Sequence, residues 1–416
     1  MDKLIIKGNA NLSGEISIKG SKNSALPIMV SSLLSKDTLK LKNIPKLVDI
    51  ENMSKLLRNY GATIKSEGDN IEINCKKITN KDADYDIVRK MRASILILGP
   101  LLSRFGKAKI SLPGGCAIGT RPVNLHLFAL KKLGAKIKIK NGYIIAEAKN
   151  GLKGANITFP SISVGATENA ILAAFNASGK TILNNCAIEP EIKDLIKFLN
   201  ILGGRIKIIG RKIFIIKCKK IKKNIIHEVI FDRIELGTYM IAAALIGKKI
   251  IFNKIDSRVI QNEIAILKKM GVKLKVQKST VEILKSNNIK KINLSTKPYP
   301  GFPTDLQAQL MVLMTRAKGT SKIKESIFEN RFMHVPELKR MGANIEIKNK
   351  TAIIKGPSKL TGAEVMATDL RASVSLVLAG LVADNRTIIN RIYHLDRGYE
   401  FLEKKLKNCK ARIKRI

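Results

Sequence analysis

The sequence predicts a mixed α/β protein made of two globular halves, each containing three copies of one repeated unit. Six short motifs carry this prediction: LRNYGATIK, LKKLGAKIKI, LNILGGRIKI, LKKMGVKLKV, LKRMGANIEI and LKNCKARIK. Each motif has the pattern of an amphipathic helix end, a turn and an alternating strand, and the motifs recur at a period of roughly 70 residues. Their aligned turn residues are Gly61, Gly134, Gly203, Gly271, Gly342 and Lys410. Glycine at this place indicates a left-handed helix C-cap in each copy.

A second recurring feature is an apolar helical run upstream of each turn. The six runs are NSALPIMVSSLL, RASILILGPLL, ATENAILAAFNA, ELGTYMIAAALI, DLQAQLMVLMT and LRASVSLVLAG. A helix that is apolar nearly all round must be buried. Short strands such as KTILNNC and RTIINRI separate these helices from the amphipathic ones. An open solenoid is the alternative architecture, but buried apolar helices favour two closed threefold globules.

The composition indicates a globular protein without a metal site or a membrane segment. The chain has 416 residues, of which 45% are hydrophobic, and no apolar run reaches the roughly 18 residues that span a bilayer. The N-terminal MDKLIIKG has a strand-like pattern and not that of a signal peptide, so we expect a cytoplasmic location. The five cysteines and four histidines form no CxxC or HExxH motif, which predicts neither a metal ion nor a disulfide framework.

The net charge of +43 raises nucleic-acid binding as an alternative function. The lysines are spread along the chain together with many Ile and Asn residues, as the codons of an AT-rich genome would favour. Aromatic residues make up only 5% of the chain and Trp is absent. We therefore expect no nucleic-acid partner.

Polar residues recur at the predicted start of each buried helix, at one address in the repeat. These residues are Lys22, Arg92, Ser163, Asp232, Asp305 and Arg371. Helix N-termini carry unpaired N–H groups and attract anions. A plain capping role is the alternative for any one of them, but lysine and arginine are unusual caps. A second address, just before the other helix of a unit, holds Arg121, Arg331 and Arg397, whose guanidinium groups suit phosphate and carboxylate unless they form surface salt bridges.

The stretch LPGGCAIGTRP, residues 112–122, places the thiol of Cys116 in a glycine-rich loop five residues before Arg121. Free cysteines usually pack in cores. A thiol in a loop of this kind is typical of a reactive group that moves to its substrate.

Ten motifs in order resemble the UDP-N-acetylglucosamine 1-carboxyvinyltransferase family of enolpyruvyl transferases, which belongs to the EPSP synthase superfamily. They are GSKNSALPI, KMRAS, SLPGGCAIGTRPV, SVGAT, EPEI, DRIE, FPTDLQAQ, FENRFMHVPEL, ATDLRAS and YHLDRGYE. The resemblance covers essentially the whole chain. It implies two inside-out α/β barrels of three units each, one at residues 21–230 and one at residues 1–20 plus 231–416, with the active site in the cleft between them.

The resemblance also implies a reaction. The 3′-hydroxyl of UDP-N-acetylglucosamine attacks C2 of phosphoenolpyruvate while C3 is protonated. Loss of a C3 proton from the tetrahedral ketal then expels phosphate, in the step that opens bacterial peptidoglycan synthesis. No metal or organic cofactor is implied. The oligomeric state stays open.

The family's site residues map onto this sequence position by position. Cys116 matches the proton donor to C3, which also forms a covalent adduct with phosphoenolpyruvate and is the target of fosfomycin. Lys22 and Asn23 match contacts to phosphoenolpyruvate, Arg121 and Arg397 match clamps on its anionic groups, and Asp305 matches the proposed base. The UDP-sugar positions are Arg92, Arg121, Pro122, Val123, Asn124, Leu125, Ser161, Ile162, Ser163, Val164, Gly165 and Ile327. Further residues expected to line the cleft are Glu189, Asp232, Arg331, Asp369 and Arg371.

Two positions depart from the family pattern. Ser161 and Val48 stand where the family often has lysine, and each loss of charge is expected to weaken nucleotide binding by about 1 kcal/mol where solvent does not screen it. A 5-enolpyruvylshikimate-3-phosphate synthase is the alternative enzyme, since it shares the six-unit fold. The GGC loop and the SVG segment argue against it.

Overall fold

A computed structural model describes residues 2–79, 82–83, 85–88, 91–112 and 123–416. The chain forms two compact units, each with its own hydrophobic core. We call the described residues between 20 and 230 the central unit. Residues 2–19 and 231–416 form the terminal unit.

The strands are short and fall in chain order through both units. The terminal unit begins with β1 (Leu4–Lys7) and β2 (Leu12–Glu15). The strands of the central unit are β3 (Thr38–Lys42), β4 (Thr63–Glu67), β5 (Asn70–Asn74), β6 (Asp82–Ala83), β7 (Lys107–Ser111), β8 (Lys136–Lys140), β9 (Tyr143–Glu147), β10 (Asn156–Thr158), β11 (Lys180–Asn184), β12 (Arg205–Ile209), β13 (Lys212–Ile216) and β14 (Ile225–Glu228). The terminal unit continues with β15 (Gly247–Asn253), β16 (Leu274–Val276), β17 (Thr280–Leu284), β18 (Asn293–Ser295), β19 (Gly319–Lys324), β20 (Asn344–Lys348), β21 (Thr351–Gly356), β22 (Glu364–Met366), β23 (Arg386–Asn390) and β24 (Arg412–Arg415).

The helices alternate between buried and amphipathic ones. Those of the central unit are α1 (Lys22–Ser31), α2 (Val48–Asn59), α3 (Tyr85–Val88), α4 (Leu98–Phe105), α5 (Asn124–Lys132), α6 (Val164–Ala174) and α7 (Pro190–Ile201). Those of the terminal unit are α8 (Arg233–Ile246), α9 (Gln261–Lys269), α10 (Gln307–Met314), α11 (Val335–Arg340), α12 (Leu370–Val382) and α13 (Leu402–Asn408). Short 3₁₀ segments lie at Ser32–Leu34, Arg92–Ile97, Ser257–Ile260, Thr304–Leu306 and Ile392–Arg397. In the part of the chain that the structure describes, we find no helix with both the length and the apolar character to cross a bilayer.

The repeat appears in the sheets, which are four-stranded and share one topology. In each, a parallel pair of strands is followed by two antiparallel pairings. The central unit holds β14-β3-β5-β4, β6-β7-β9-β8 and β10-β11-β13-β12. The terminal unit holds β2-β15-β17-β16, β18-β19-β21-β20 and β22-β23-β1-β24. In both units, a strand from outside the local copy completes a sheet, as β14 does for β3 and β1 does for β24.

The predicted turn residues adopt the left-handed conformation. Their φ angles are positive in all six copies, from 71° at Lys410 to 114° at Gly203. At Gly203 the fold also lacks room for a side chain, because an added Cβ would lie 2.3 Å from the carbonyl oxygen of Lys220. The helix–turn–strand prediction is therefore confirmed.

The apolar helices are buried as predicted, with one difference in form. Every residue of α10 is buried, and so is every residue of α1 except Asn23. In the second copy the predicted single helix is instead the 3₁₀ segment Arg92–Ile97 followed by α4. Pro100 explains the break, because a continuous α-helix would need a hydrogen bond from its missing N–H to Leu96.

Candidate functional site

The polar residues predicted at helix starts lie there in every copy. Lys22 is the first residue of α1, and Arg92 is the first residue of the 3₁₀ segment before α4. Ser163 and Asp232 are the N-caps of α6 and α8. Asp305 lies in the 3₁₀ segment before α10, and Arg371 is the second residue of α12. Cys116, Arg121 and Pro122 lie outside the described residues.

In the terminal unit, Asp305 joins two arginines that are distant in sequence. Its carboxylate pairs with Arg331 and with Arg371, whose Nη2 atom is 3.2 Å from Oδ2. The arginine side chains are 5% and 6% exposed, while that of Asp305 is 28% exposed. The two buried arginines thus hold the Asp305 carboxylate in place, while part of its side chain stays exposed to solvent.

A buried polar network holds Arg371 in place. Its Nη1 atom donates to the Tyr399 hydroxyl at 3.2 Å, and that hydroxyl lies 2.9 Å from Thr238 Oγ1. Gln309 donates to the same two oxygens, at 3.2 and 3.1 Å. Burial lowers the pKa of Arg371, but Tyr399 and Asp305 outweigh it and raise the pKa above the usual value. The network ties the buried helices α8, α10 and α12 to one fixed positive charge.

Three further residues of the predicted site lie in the terminal unit. Asp369 caps α12 by accepting hydrogen bonds from the backbone N–H groups of Arg371 at 2.8 Å and Ala372 at 3.0 Å. Arg397 ends the 3₁₀ segment Ile392–Arg397 and is half-buried, and the Ile327 side chain is 37% exposed. These positions leave all three side chains accessible to a ligand.

In the central unit, the first turns of α1 and α2 share a buried ion pair. Lys22 Nζ lies 2.8 Å from Asp49 Oδ2, and Asn23 beside it is half-buried. The next residue, Ser24, donates to Asp194 at 2.6 Å and so fixes the start of α1 to α7. The sequence gives no signal for Asp49, because only the fold brings it to Lys22.

The start of α6 lies against α5. Ser163 accepts a hydrogen bond from the Ala166 N–H at 3.3 Å, and an added Cβ at Gly165 would lie 3.1 Å from the His126 ring. Ser161 is exposed, and Ile162 and Val164 are half-buried. Glycine at this place therefore allows α6 to approach α5. The first residues of α5 and its cap are the predicted site positions Val123, Asn124 and Leu125.

Asn169 fixes the protonation state of His126. Its Oδ1 accepts from the Gly99 N–H at 2.8 Å and its Nδ2 donates to the Ile95 carbonyl at 3.1 Å, so the amide has one orientation. The same Nδ2 lies 3.1 Å from His126 Nδ1, which must then be the acceptor. Burial and the nearby charge of Arg92 lower the pKa of His126 to about 3. His126 is therefore neutral, with its proton on Nε2.

Among the described residues, no group of three or more His, Cys, Asp or Glu side chains has an arrangement that could hold a metal ion. Each unit offers positive charge. Lys22 and Arg92 lie at helix starts in the central unit, and the terminal unit holds Arg331, Arg371 and Arg397. Glu189 and Asp232 lie at helix starts as buried acids. Lysine and arginine side chains can bind anionic groups, and the partly exposed Asp305 carboxylate can accept a hydrogen bond from a ligand hydroxyl.

Comparison with known proteins agrees with this chemistry. The family model for EPSP synthase (3-phosphoshikimate 1-carboxyvinyltransferase) matches residues 6–406. The chain is 56% identical over 416 residues to a UDP-N-acetylglucosamine 1-carboxyvinyltransferase of Pelagibacter ubique (strain HTCC1062), with 100% of both chains covered. It is 53% identical over 420 residues to a protein of the same name from Rickettsia bellii (strain OSU 85-389), again with 100% of both covered.

Solved structures share the fold. The enolpyruvyl transferase NikO from Streptomyces tendae superposes with a TM-score of 0.90 at 23% identity, covering 100% of this chain and 98% of the other. EPSP synthase from Acinetobacter baumannii gives a TM-score of 0.79 at 18% identity, covering 100% and 99%. At these identities the likeness establishes the fold alone.

Proposed function

This chain belongs to the EPSP synthase family, and we propose that it transfers the enolpyruvyl group of phosphoenolpyruvate to the 3′-hydroxyl of UDP-N-acetylglucosamine. The transfer releases phosphate and takes place without a metal or organic cofactor. The structural observation that supports it best is the Asp305 carboxylate, held by two buried arginines and open to solvent on its outer side. The choice of acceptor is supported by the names of the full-length relatives at 53–56% identity.

The proposed reaction is an addition followed by an elimination. The sugar oxygen bonds to C2 of phosphoenolpyruvate while its proton passes to Asp305 and C3 takes a proton from Cys116. In the second step the Cys116 thiolate takes a proton from C3, the double bond re-forms, the C2–O bond to phosphate breaks, and the phosphate leaves with the proton that Asp305 received. Lys22, Arg121 and Arg397 stabilise the phosphate and carboxylate charges, with Asn23 beside Lys22.

The start of α6 and Arg92 are proposed to hold the UDP-sugar. Ser161, Ile162 and Ser163 lead into the N-terminus of α6, whose first two residues are Val164 and Gly165, and a helix N-terminus suits a diphosphate. Residues 121–125 and Ile327 complete this proposed contact set. We propose that the further residues lining the cleft are Glu189, Asp232, Arg331, Asp369 and Arg371. Because Ser161 and Val48 are exposed, solvent screening limits what their missing charges cost.

We also propose the architecture of each unit, the domain boundary and the cellular location of the reaction. Each unit combines three four-stranded sheets with buried helices, which supports an inside-out α/β barrel of three repeated copies. We place the domain boundary near residues 20 and 230, and the reaction in the cytoplasm, at the entry to peptidoglycan synthesis.

An assay of phosphate release with two acceptors tests the proposed function. Phosphoenolpyruvate together with UDP-N-acetylglucosamine should give turnover, whereas shikimate 3-phosphate should not. Asp305→Asn should lower kcat by about 100-fold or more. Asp256→Asn is the matched control, since Asp256 pairs with Arg258 on the surface of the same unit, and it should keep normal turnover. Release that depends on shikimate 3-phosphate alone would reassign the acceptor.

A further inference from the structure

Glu325, the residue after β19, is a buried carboxylate with four hydrogen-bond donors. It is 1% exposed. Its Oε1 accepts from Thr296 Oγ1 at 2.9 Å and from the backbone N–H groups of Ile327 at 2.8 Å and Phe328 at 3.1 Å. Its Oε2 accepts from Thr304 Oγ1 at 2.9 Å. Both oxygens of the carboxylate thus act as acceptors, with three donors on Oε1 and one on Oε2.

Two of these donors belong to segments of the proposed site. Thr304 directly precedes Asp305 in the 3₁₀ segment before α10. Ile327 is a proposed contact to the UDP-sugar. The buried Glu325 carboxylate therefore contacts two segments of the proposed site. One carries the proposed base Asp305 and the other carries the proposed sugar contact Ile327.

Arg331 closes the same network from the other side. Its guanidinium lies 5.3 Å from the centre of the Phe328 ring and pairs with the Asp305 carboxylate. The contacts thus run from Glu325 through Thr304 to Asp305, then through Arg331 and Phe328 back to Glu325. A closed set of contacts restricts each member more than an open chain does, because no member can shift alone.

We propose that Glu325 is a positioning residue for enolpyruvyl transfer, setting Asp305 and Ile327 at a fixed separation. This inference rests on the function proposed above. In this proposal Glu325 acts only through Asp305 and Ile327 and does not contact the substrates itself. Its effect on the reaction is geometric, and small displacements of a catalytic group lower rates steeply.

Glu325→Gln tests the charge and acceptor capacity of this group at nearly constant shape. An amide has one oxygen acceptor in place of two, and the Thr304 hydroxyl would then have to accept from its NH₂ group instead of donating to it, so the segments on either side should shift. We expect kcat to fall by about 10- to 100-fold. The KM for UDP-N-acetylglucosamine should rise by about tenfold, with the KM for phosphoenolpyruvate within about twofold of normal.

Thr304→Val isolates the branch that leads to Asp305, and it serves as the second variant if Glu325→Gln does not fold. It removes one donor and leaves the N–H contacts of Ile327 and Phe328. It should lower kcat by about tenfold with little change in either KM. Thr280→Val is the matched control, because Thr280 on β17 donates to Asn253 on the neighbouring strand β15 of the same unit at 3.0 Å and is not part of the proposed site.

The outcomes separate this inference from the proposed function. Absence of turnover in the unmodified protein counts against the function. If the unmodified protein turns over normally and the kcat of Thr304→Val is within twofold of the kcat of Thr280→Val, the proposed role of Glu325 is refuted. Equal losses in both threonine variants also refute it, since a general loss of stability would then explain the effect.

Discussion

Lys22 and Asp49 form an ion pair with a distance of 2.8 Å between Nζ and Oδ2, and the two side chains are only 9% and 4% exposed. An anionic substrate that binds Lys22 must therefore compete with, or add to, an existing buried partner. The pair gives Lys22 two roles, one in stability and one in binding, which substitutions can separate.

Lys22→Met should destabilise the protein by about 3 kcal/mol, because it removes the positive charge that lies beside the buried Asp49 carboxylate. The double variant Lys22→Met/Asp49→Asn should regain most of that stability, since an amide carries no charge. Neither variant should catalyse phosphate release. Urea unfolding and the phosphate assay together measure both effects, and turnover in the double variant would show that Lys22 acts only in stability.

Fosfomycin should alkylate the native protein at Cys116. The cysteines in the described part of the chain, Cys75, Cys186, Cys218 and Cys409, are all buried. Burial raises the pKa of the Cys75 thiol to about 11 and that of Cys186 to about 12, so the reactive thiolate is scarce at neutral pH. Peptide mapping by mass spectrometry locates the label.

Cys116→Ser should abolish the labelling and lower turnover by about 100-fold or more, while thermal unfolding stays normal. Alkylation at one of the four buried cysteines under native conditions, or full activity in the serine variant, contradicts the proposed role of Cys116.

The stability of the fold should depend on His126 in mildly acidic solution. Burial and Arg92 lower its pKa to about 3, so between that pH and about 6.5 the unfolded chain binds a proton that the folded protein excludes. Stability is therefore lost as the pH falls, and the wild-type protein should lose roughly 2 kcal/mol from this group between pH 7 and pH 5.

His126→Gln isolates that contribution, because the variant lacks the proton uptake. The comparison is needed because other groups titrate in a similar pH range. Burial raises the pKa of Glu235 to about 7, although Lys405 opposes the shift. This raised pKa lowers the stability of the fold as the pH rises. Urea unfolding of both proteins at pH 5 and pH 7 gives the difference. Parallel pH dependences would show that His126 is protonated in the folded state.

Lys410→Gly should stabilise the terminal unit. Lys410 has a φ angle of 71°, while the other five copies place glycine at this turn. A side chain in the left-handed region costs about 1 kcal/mol relative to glycine, and part of that gain is offset by the greater freedom of glycine in the unfolded chain. An increase in the free energy of unfolding of about 0.5 to 1 kcal/mol is expected. Gly134→Ala, where a Cβ meets no atom within 4 Å, is the reverse experiment and should destabilise by a similar amount.

The local parts of the structure could be predicted from the sequence, because their causes are local. The turn glycines, the buried helices and the polar residues at their starts each follow from spacing and hydrophobic pattern. The break in the second buried helix also has a local cause, which is Pro100. The continuous apolar pattern around it nevertheless predicts a single helix.

The partners of the site residues could not be predicted, because the fold brings them together from distant segments. Asp305 meets Arg371 across 66 positions, and Asn169 meets Gly99 across 70. The residues next to Glu325 in the sequence do not indicate a functional role. Only its four hydrogen-bond donors in the folded protein indicate one. Cys116 and Arg121 remain predictions from sequence and resemblance.

The position of β1 has a consequence for synthesis on the ribosome. β1 lies between β23 and β24, with Leu4 paired to both Ile389 and Arg415. Translation makes this inner strand before every other strand described here, and it makes both of its neighbours after all the others. The central unit, by contrast, receives its closing strand β14 directly after its other strands. The nascent chain can therefore complete the sheets of the central unit while β1 still lacks both of the strands that flank it, and chaperones can bind β1 during that interval.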